Sequence, residues 1–190
     1  MDLPVDKILE NGMHLELDYM HSHEQETVRT LLNLIIVEGK SYPQKHPLTE
    51  LEFRAYWMNQ AAFVVRHKVA DNTAKPKEIL GAFFLKPNFP GRCSHICNAG
   101  FIVQREMRGL GLGRFMGEAM LEIAFELGYK AVMFNLVFAN NIPSLRLWES
   151  LGFEIIGRIP AAVELDDRTF IDAVIMYCCL GEQRQEKNKI

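Results

Sequence analysis

The chain is 190 residues long, 48% hydrophobic and 24% charged, with a formal net charge of −3. Such a chain can bury a full core as one domain, and its slightly acidic balance excludes a general basic field for nucleic acid. No apolar run approaches the about 20 residues of a membrane span, and the opening Met1 to Asp6 has neither a signal nor a transit pattern, so a cytoplasmic protein with no membrane partner is expected.

In chain order, Met13 to Tyr19 alternates apolar and polar residues as a strand does, and Glu24 to Glu38 carries Val28, Leu31, Leu32 and Ile35 at helical spacing. Thr49 and Glu52 have the spacing of a capping box, which predicts a second helix with Phe53, Tyr56 and Trp57 on one face. Those aromatics read as core more readily than as the roof of a pocket. Ala62 to His67 and Ile79 to Leu85 read as strands around a polar turn, Ala70 to Glu78. Ile96 to Val103 is a further strand, Arg114 to Leu127 a helix, and Ala131 to Phe138 a buried apolar strand interrupted by Asn135. Ser144 to Leu151 is a short helix between Pro143 and Gly152. Phe153 to Ile156 and Phe170 to Cys179 close the order as strands, joined by a turn at Asp166-Asp167-Arg168.

The pattern predicts an α+β fold: a mixed, twisted sheet of about seven strands with helices on both faces. Residues 1–180 form one domain on this reading, and 181–190 a polar tail. The helix between Val103 and Ala131 makes a βαβ crossover, so its two strands should be parallel. Cys93, Cys97, Cys178 and Cys179 do not have the spacing of a zinc site, so reduced thiols and no metal are expected.

The most specific signal is Arg108-Gly109-Leu110-Gly111-Leu112-Gly113, between a strand and a helix. Alternate glycines let a ligand approach the backbone, and the first N–H groups of the helix face the same point, as a phosphate requires. A Walker loop would continue Gly-Lys-Ser/Thr, and here Arg114 and Phe115 follow Gly113. A dinucleotide fingerprint would need a carboxylate at the end of the next strand, which instead runs to Asn140-Asn141.

The loop does fit Arg-x-x-Gly-x-Gly/Ala and resembles the pyrophosphate loop of the GCN5-related N-acetyltransferases (GNAT), which use acetyl-coenzyme A. Asn141 to Phe153 is similar to that family's second signature, Asn-x-x-Ala-x-x-Leu-Tyr-x-x-x-Gly-Phe, with Trp148 in place of the tyrosine. Glu38 to Gln44, Lys86-Pro87-Asn88, Arg92 to His95, Cys97 to Phe101 and Phe134 to Phe138 further resemble the fungal proline-analogue acetyltransferases, which acetylate L-azetidine-2-carboxylate. The resemblance implies a GNAT fold with splayed parallel strands at the acetyl-CoA site and a small amino or imino acid as acceptor. It also implies a detoxifying role and, at family level, a homodimer. It places Phe101 and Val103 along the pantetheine arm, Arg108, Gly109, Leu110, Gly111, Leu112 and Gly113 on the pyrophosphate, and Asn141 on the pantetheine. It places Asn98, Asn135 and Leu136 at the substrate.

Tryptophan has no proton to give at neutral pH, which leaves the acid unassigned. Neither asparagine can be a base, so Asn98 is expected on the substrate carboxylate and Asn135 beside the reacting carbon. The backbone N–H near Val103 is the expected oxyanion donor, and the Leu136 carbonyl the group that orients the amine. Against these roles stands the simpler one, in which each amide caps local backbone. His95 is the nearest imidazole in sequence and could relay a proton through water. Two other functions compete: acetyl transfer to a polyamine or protein amine, and a non-catalytic acyl-CoA-binding module.

Overall fold

The computed structural model describes residues 2–58, 61–68 and 77–181. Its elements are β1 (Val5–Ile8), β2 (His14–Tyr19), α1 (Gln25–Val37), α2 (Glu50–Trp57), β3 (Ala61–His67), β4 (Ile79–Pro87), β5 (Ile96–Val103), α3 (Leu112–Glu126), β6 (Ala131–Phe138), α4 (Ile142–Ser150), β7 (Glu154–Glu164) and β8 (Phe170–Cys179). The strands form one sheet in the order β1-β2-β3-β4-β5-β6-β8-β7. Every neighbouring pair is antiparallel except β5 and β6, which the α3 crossover makes parallel.

Each sheet face has its own core. On one face Leu112, Phe115, Met116, Met120 and Ile123 of α3 pack with Leu15, Leu17, Phe63 and Phe83. On the other, Val28, Leu32 and Ile35 of α1 and Phe53 and Trp57 of α2 pack with Val64, Ala82, Phe84 and Ile102. The Thr49 cap forms as its spacing predicts, with Thr49 Oγ1 accepting from the Glu52 N–H.

Among the described residues the sheet has eight strands where the sequence predicts about seven, because Val5–Ile8 adds an edge. That strand is short and largely exposed, so it carries little apolar pattern. β7 extends to Glu164, well beyond the expected Ile156, and includes Pro160 and Ala161 with φ of +49°. An edge strand tolerates a proline that a central one would not. α3 starts at Leu112, two residues earlier than expected, and α4 at Ile142 with Asn141 as its N-cap. Most of the turn expected at 70–78 and of the tail at 181–190 lies outside the described residues.

Candidate active site

β5 and β6 pair only at Ile96↔Ala131 and Cys97↔Val132, then separate. The free edge of β5 follows from its ladder to β4. The Gln104 N–H donates to Leu80 C=O at 2.9 Å and the Asn88 N–H to Ile96 C=O at 2.8 Å. Alternation then turns the even-numbered backbone groups of β5 toward β4, and those of Ala99, Phe101 and Val103 toward the gap. Three of the groups so exposed find substitutes for a strand partner. The Ala99 N–H donates to Asn98 Oδ1 at 2.8 Å, Tyr42 Oη donates to Phe101 C=O at 2.9 Å, and Arg108 Nε makes a long contact of 3.4 Å with Val103 C=O.

On the opposite bank β6 bulges. Phe134 pairs with Met176 and Val137 with Val174, so Asn135 and Leu136 together face the single residue Ile175. A bulge bends the strand and takes its extra residue out of the ladder. Two of the three residues expected at the substrate, Asn135 and Leu136, therefore sit where β6 departs from regular pairing. The gap opens into a cavity of about 1200 Å³.

At one end of that cavity lies the glycine loop. Gly109 has φ of +77° and Gly111 φ of +90°, a left-handed backbone that glycine adopts without steric cost. Gly111 is the N-cap of α3, and the first intrahelical bond there is Phe115 N–H to Gly111 C=O at 3.1 Å. The preceding N–H groups of the helix are thus left for a ligand. Gly109, Gly111 and Gly113 line the cavity. Leu110 and Leu112 do not: Leu110 is 40% exposed, and the Leu112 side chain is fully buried in the core. Only their backbone can serve the loop. Arg108 lines the cavity, yet its guanidinium is held by Glu38 through bonds of 2.8 and 3.0 Å.

Asn98, Phe101, Val103, Asn135, Leu136 and Asn141 all line the same cavity. Their side chains have local partners as well. Asn135 and Asn88 exchange two amide hydrogen bonds of 2.8 and 2.6 Å. Asn141 Oδ1 accepts from the Ser144 N–H at 3.3 Å. Trp148 donates its indole N–H to Ser144 Oγ at 2.9 Å, and its ring lies 4.6 Å from that of Phe134 and 4.8 Å from that of Phe101.

The pattern of the acetyltransferase (GNAT) family matches residues 29–153, which span both the gap and the glycine loop. The chain belongs to this family. It is 36% identical over 167 residues to the N-acetyltransferase aca1 of Schizosaccharomyces pombe, covering 80% of each chain. A GCN5-related N-acetyltransferase from Kribbella flavida superposes with a TM-score of 0.77 at 28% identity, over 87% of this chain and 97% of that one. A phosphinothricin acetyltransferase from Sinorhizobium meliloti in complex with AcCoA superposes with a TM-score of 0.76 at 16% identity, over 88% and 89%. The protein is an acetyl-CoA-dependent N-acetyltransferase, and the non-catalytic alternative falls away. The cavity fits that co-substrate, with the glycine loop and the free edge of β5 both on its wall.

Two further cavity residues, Glu38 and Tyr42, carry no local signal of that place in the sequence. Tyr56 joins them on the wall, while its helix neighbours Phe53 and Trp57 are core. Burial, with Tyr56 alongside, pushes the Tyr42 hydroxyl well above its usual range, so it is protonated at neutral pH. His95 is exposed and is not on the cavity wall, in line with a solvent-facing histidine rather than the proton relay it could have supplied. Burial also raises the thiols of Cys97 and Cys178 to about 12, which leaves them protonated and inert. Among the described residues there is no cluster that could hold a metal ion.

Proposed function

We propose that this GNAT enzyme acetylates the amine of a small amino or imino acid, of which L-azetidine-2-carboxylate is the type. The carrying observation is the cavity's charge. Among the described residues Glu38 is the one carboxylate on its wall, and the Arg108 guanidinium occupies it. A polyamine has several cationic centres, and the wall gives it no free anion. Amides and aromatics suit a small acceptor better. The likeness to aca1 supports an N-acetyltransferase, and the resemblance to the proline-analogue enzymes supplies the acceptor class.

In this reading the N–H groups of the glycine loop and of the first turn of α3 take the diphosphate, at Gly109 to Gly113. The strand edge at Phe101 and Val103 takes the pantetheine arm, with Asn141 as a further partner. Asn98 meets the acceptor's carboxylate, Leu136 C=O aligns the amine, and Asn135 fixes the geometry beside the reacting carbon. The nitrogen attacks the thioester carbonyl, whose developing oxyanion is met by the Val103 N–H. The C–N bond forms and the C–S bond breaks. The thiolate leaves and takes the proton that nitrogen releases.

No imidazole or uncommitted carboxylate among the described residues lines the cavity, so the acceptor must arrive as the neutral amine. At pH 7 that is on the order of one molecule in a thousand for an amine of pKa near 10. Holding it against the thioester is then the main contribution to rate. The test is release of free thiol from acetyl-CoA with a panel of acceptors. Turnover with azetidine-2-carboxylate and related cyclic amino acids, well above that with spermidine or a lysine peptide, is expected. Preference for spermidine or the peptide overturns the reading.

A further inference from the structure

We propose that Lys86 selects acceptors that carry a carboxylate, acting with the Asn98 amide as a two-donor anion subsite beside the cavity. The inference rests on the amino-acid reading above and adds the residue that would enforce it. Lys86 and Asn98 are direct cross-strand partners of β4 and β5, so their side chains stand side by side on one face. Asn98 and Tyr56 are both on the cavity wall. The Lys86 ammonium lies 5.0 Å from the centroid of the Tyr56 ring and 5.1 Å from that of Phe84.

Lys86 is half-buried, and these two rings are its only charge-favouring contacts among the described residues. A half-buried cation with no counter-ion is unusual, since desolvating a charge without a partner costs free energy. Burial accordingly holds this ammonium below the usual lysine range. The Asn98 oxygen is already engaged by the Ala99 N–H, which leaves its NH₂ group as the end able to meet a ligand. Two donors then stand together, the ammonium and the amide NH₂, and that pair fits a carboxylate. Lys86 is not itself on the cavity wall, so the subsite lies just beside it. Of the cations on the wall, Arg108 is held by Glu38, Arg114 reaches Glu118 and Ser150, and Lys40 is exposed to solvent, where screening weakens its pull.

The experiment compares azetidine-2-carboxylate with azetidine, which lacks the charge, for wild type, Lys86→Met, Lys86→Arg and Lys40→Met. Acetyl-CoA affinity serves as the check on folding. Lys86→Met should raise KM for the carboxylate by about 10- to 100-fold, as expected for losing a hydrogen bond to a charged group. KM for azetidine and affinity for acetyl-CoA should not change. Lys86→Arg should recover part of the loss, and Lys40→Met should keep the wild-type preference. If Lys86→Met keeps that preference, or if Lys40→Met loses it, the subsite is wrong while the amino-acid reading stands. A wild type that treats the two acceptors alike sinks the amino-acid reading itself, and the subsite with it.

Discussion

Asn135 and Asn88 hold each other by reciprocal amide bonds, so each fixes the other's orientation. Asn135 lines the cavity and Asn88 does not, which gives them separable roles. If Asn135 fixes the geometry of attack, Asn135→Ala should lower kcat by about 10²-fold. Asn88→Ala should act only through its partner and lower kcat by about 10-fold, within the coupling range of contacting residues. The double variant should then be no slower than Asn135→Ala alone. Steady-state kcat at saturating acceptor measures all three, and a near-normal Asn135→Ala would leave both as sheet structure. Asn98 illustrates why amides suit this place. Where β5 leaves β6 a backbone N–H loses its partner, and the neighbouring side chain supplies one.

At the level of elements, α1 is anchored at its start by a buried ion cluster. Arg66 of β3 is 4% exposed and Glu24, just before α1, is 6% exposed. They are joined by bonds of 2.6 and 2.8 Å, with Glu16 and Asp18 of β2 at 3.4 and 3.5 Å from the same guanidinium. The far end of α1 brings Ile35, and just beyond it Glu38, to the cavity, so this anchor sets the wall that faces the glycine loop. Burial pushes the Glu24 carboxyl up, but the hydrogen bonds from Arg66 and from the His21 N–H outweigh it, and the net shift is downward. A carboxyl depressed on folding contributes stability above its unfolded pKa and loses it as pH falls through the folded value. Glu24→Gln should therefore cost about 3 kcal/mol at neutral pH, the low end for breaking a buried pair while other carboxylates remain. Urea unfolding should show this gap shrinking as pH falls below the usual glutamate range of about 4. A gap that does not change with pH would mean the charge of Glu24 is not what anchors the helix.

Across the whole molecule, what the sequence makes legible is local. The apolar runs of β5 and β6, the capping box at Thr49 and the three alternate glycines each declare themselves within a few residues. β1 does not, because its four residues become a strand only by pairing with β2. The far half of β7 is hidden by Pro160, which argues against a strand unless the edge position is known. Tyr42 reaches the Phe101 carbonyl across 59 positions, and Arg108 meets Glu38 across 70, distances at which no sequence pattern operates. The bulge at Asn135 and Leu136 likewise depends on the register of β8. The Tyr42 and Arg108 contacts and the bulge meet at one gap that also takes in the glycine loop, and the loop's grip on a diphosphate is the claim on which the site stands. Calorimetric titration with acetyl-CoA and with acetyl-pantetheine, which lacks the diphosphate, tests it most directly on wild type and Gly111→Glu. Wild type should bind acetyl-CoA at least about 100-fold more tightly, the worth of a few charge-assisted hydrogen bonds. Gly111→Glu, with its far-ultraviolet dichroism unchanged, should lose that advantage. Equal affinity of wild type for the two thioesters, or an advantage that survives in the variant, would contradict the account.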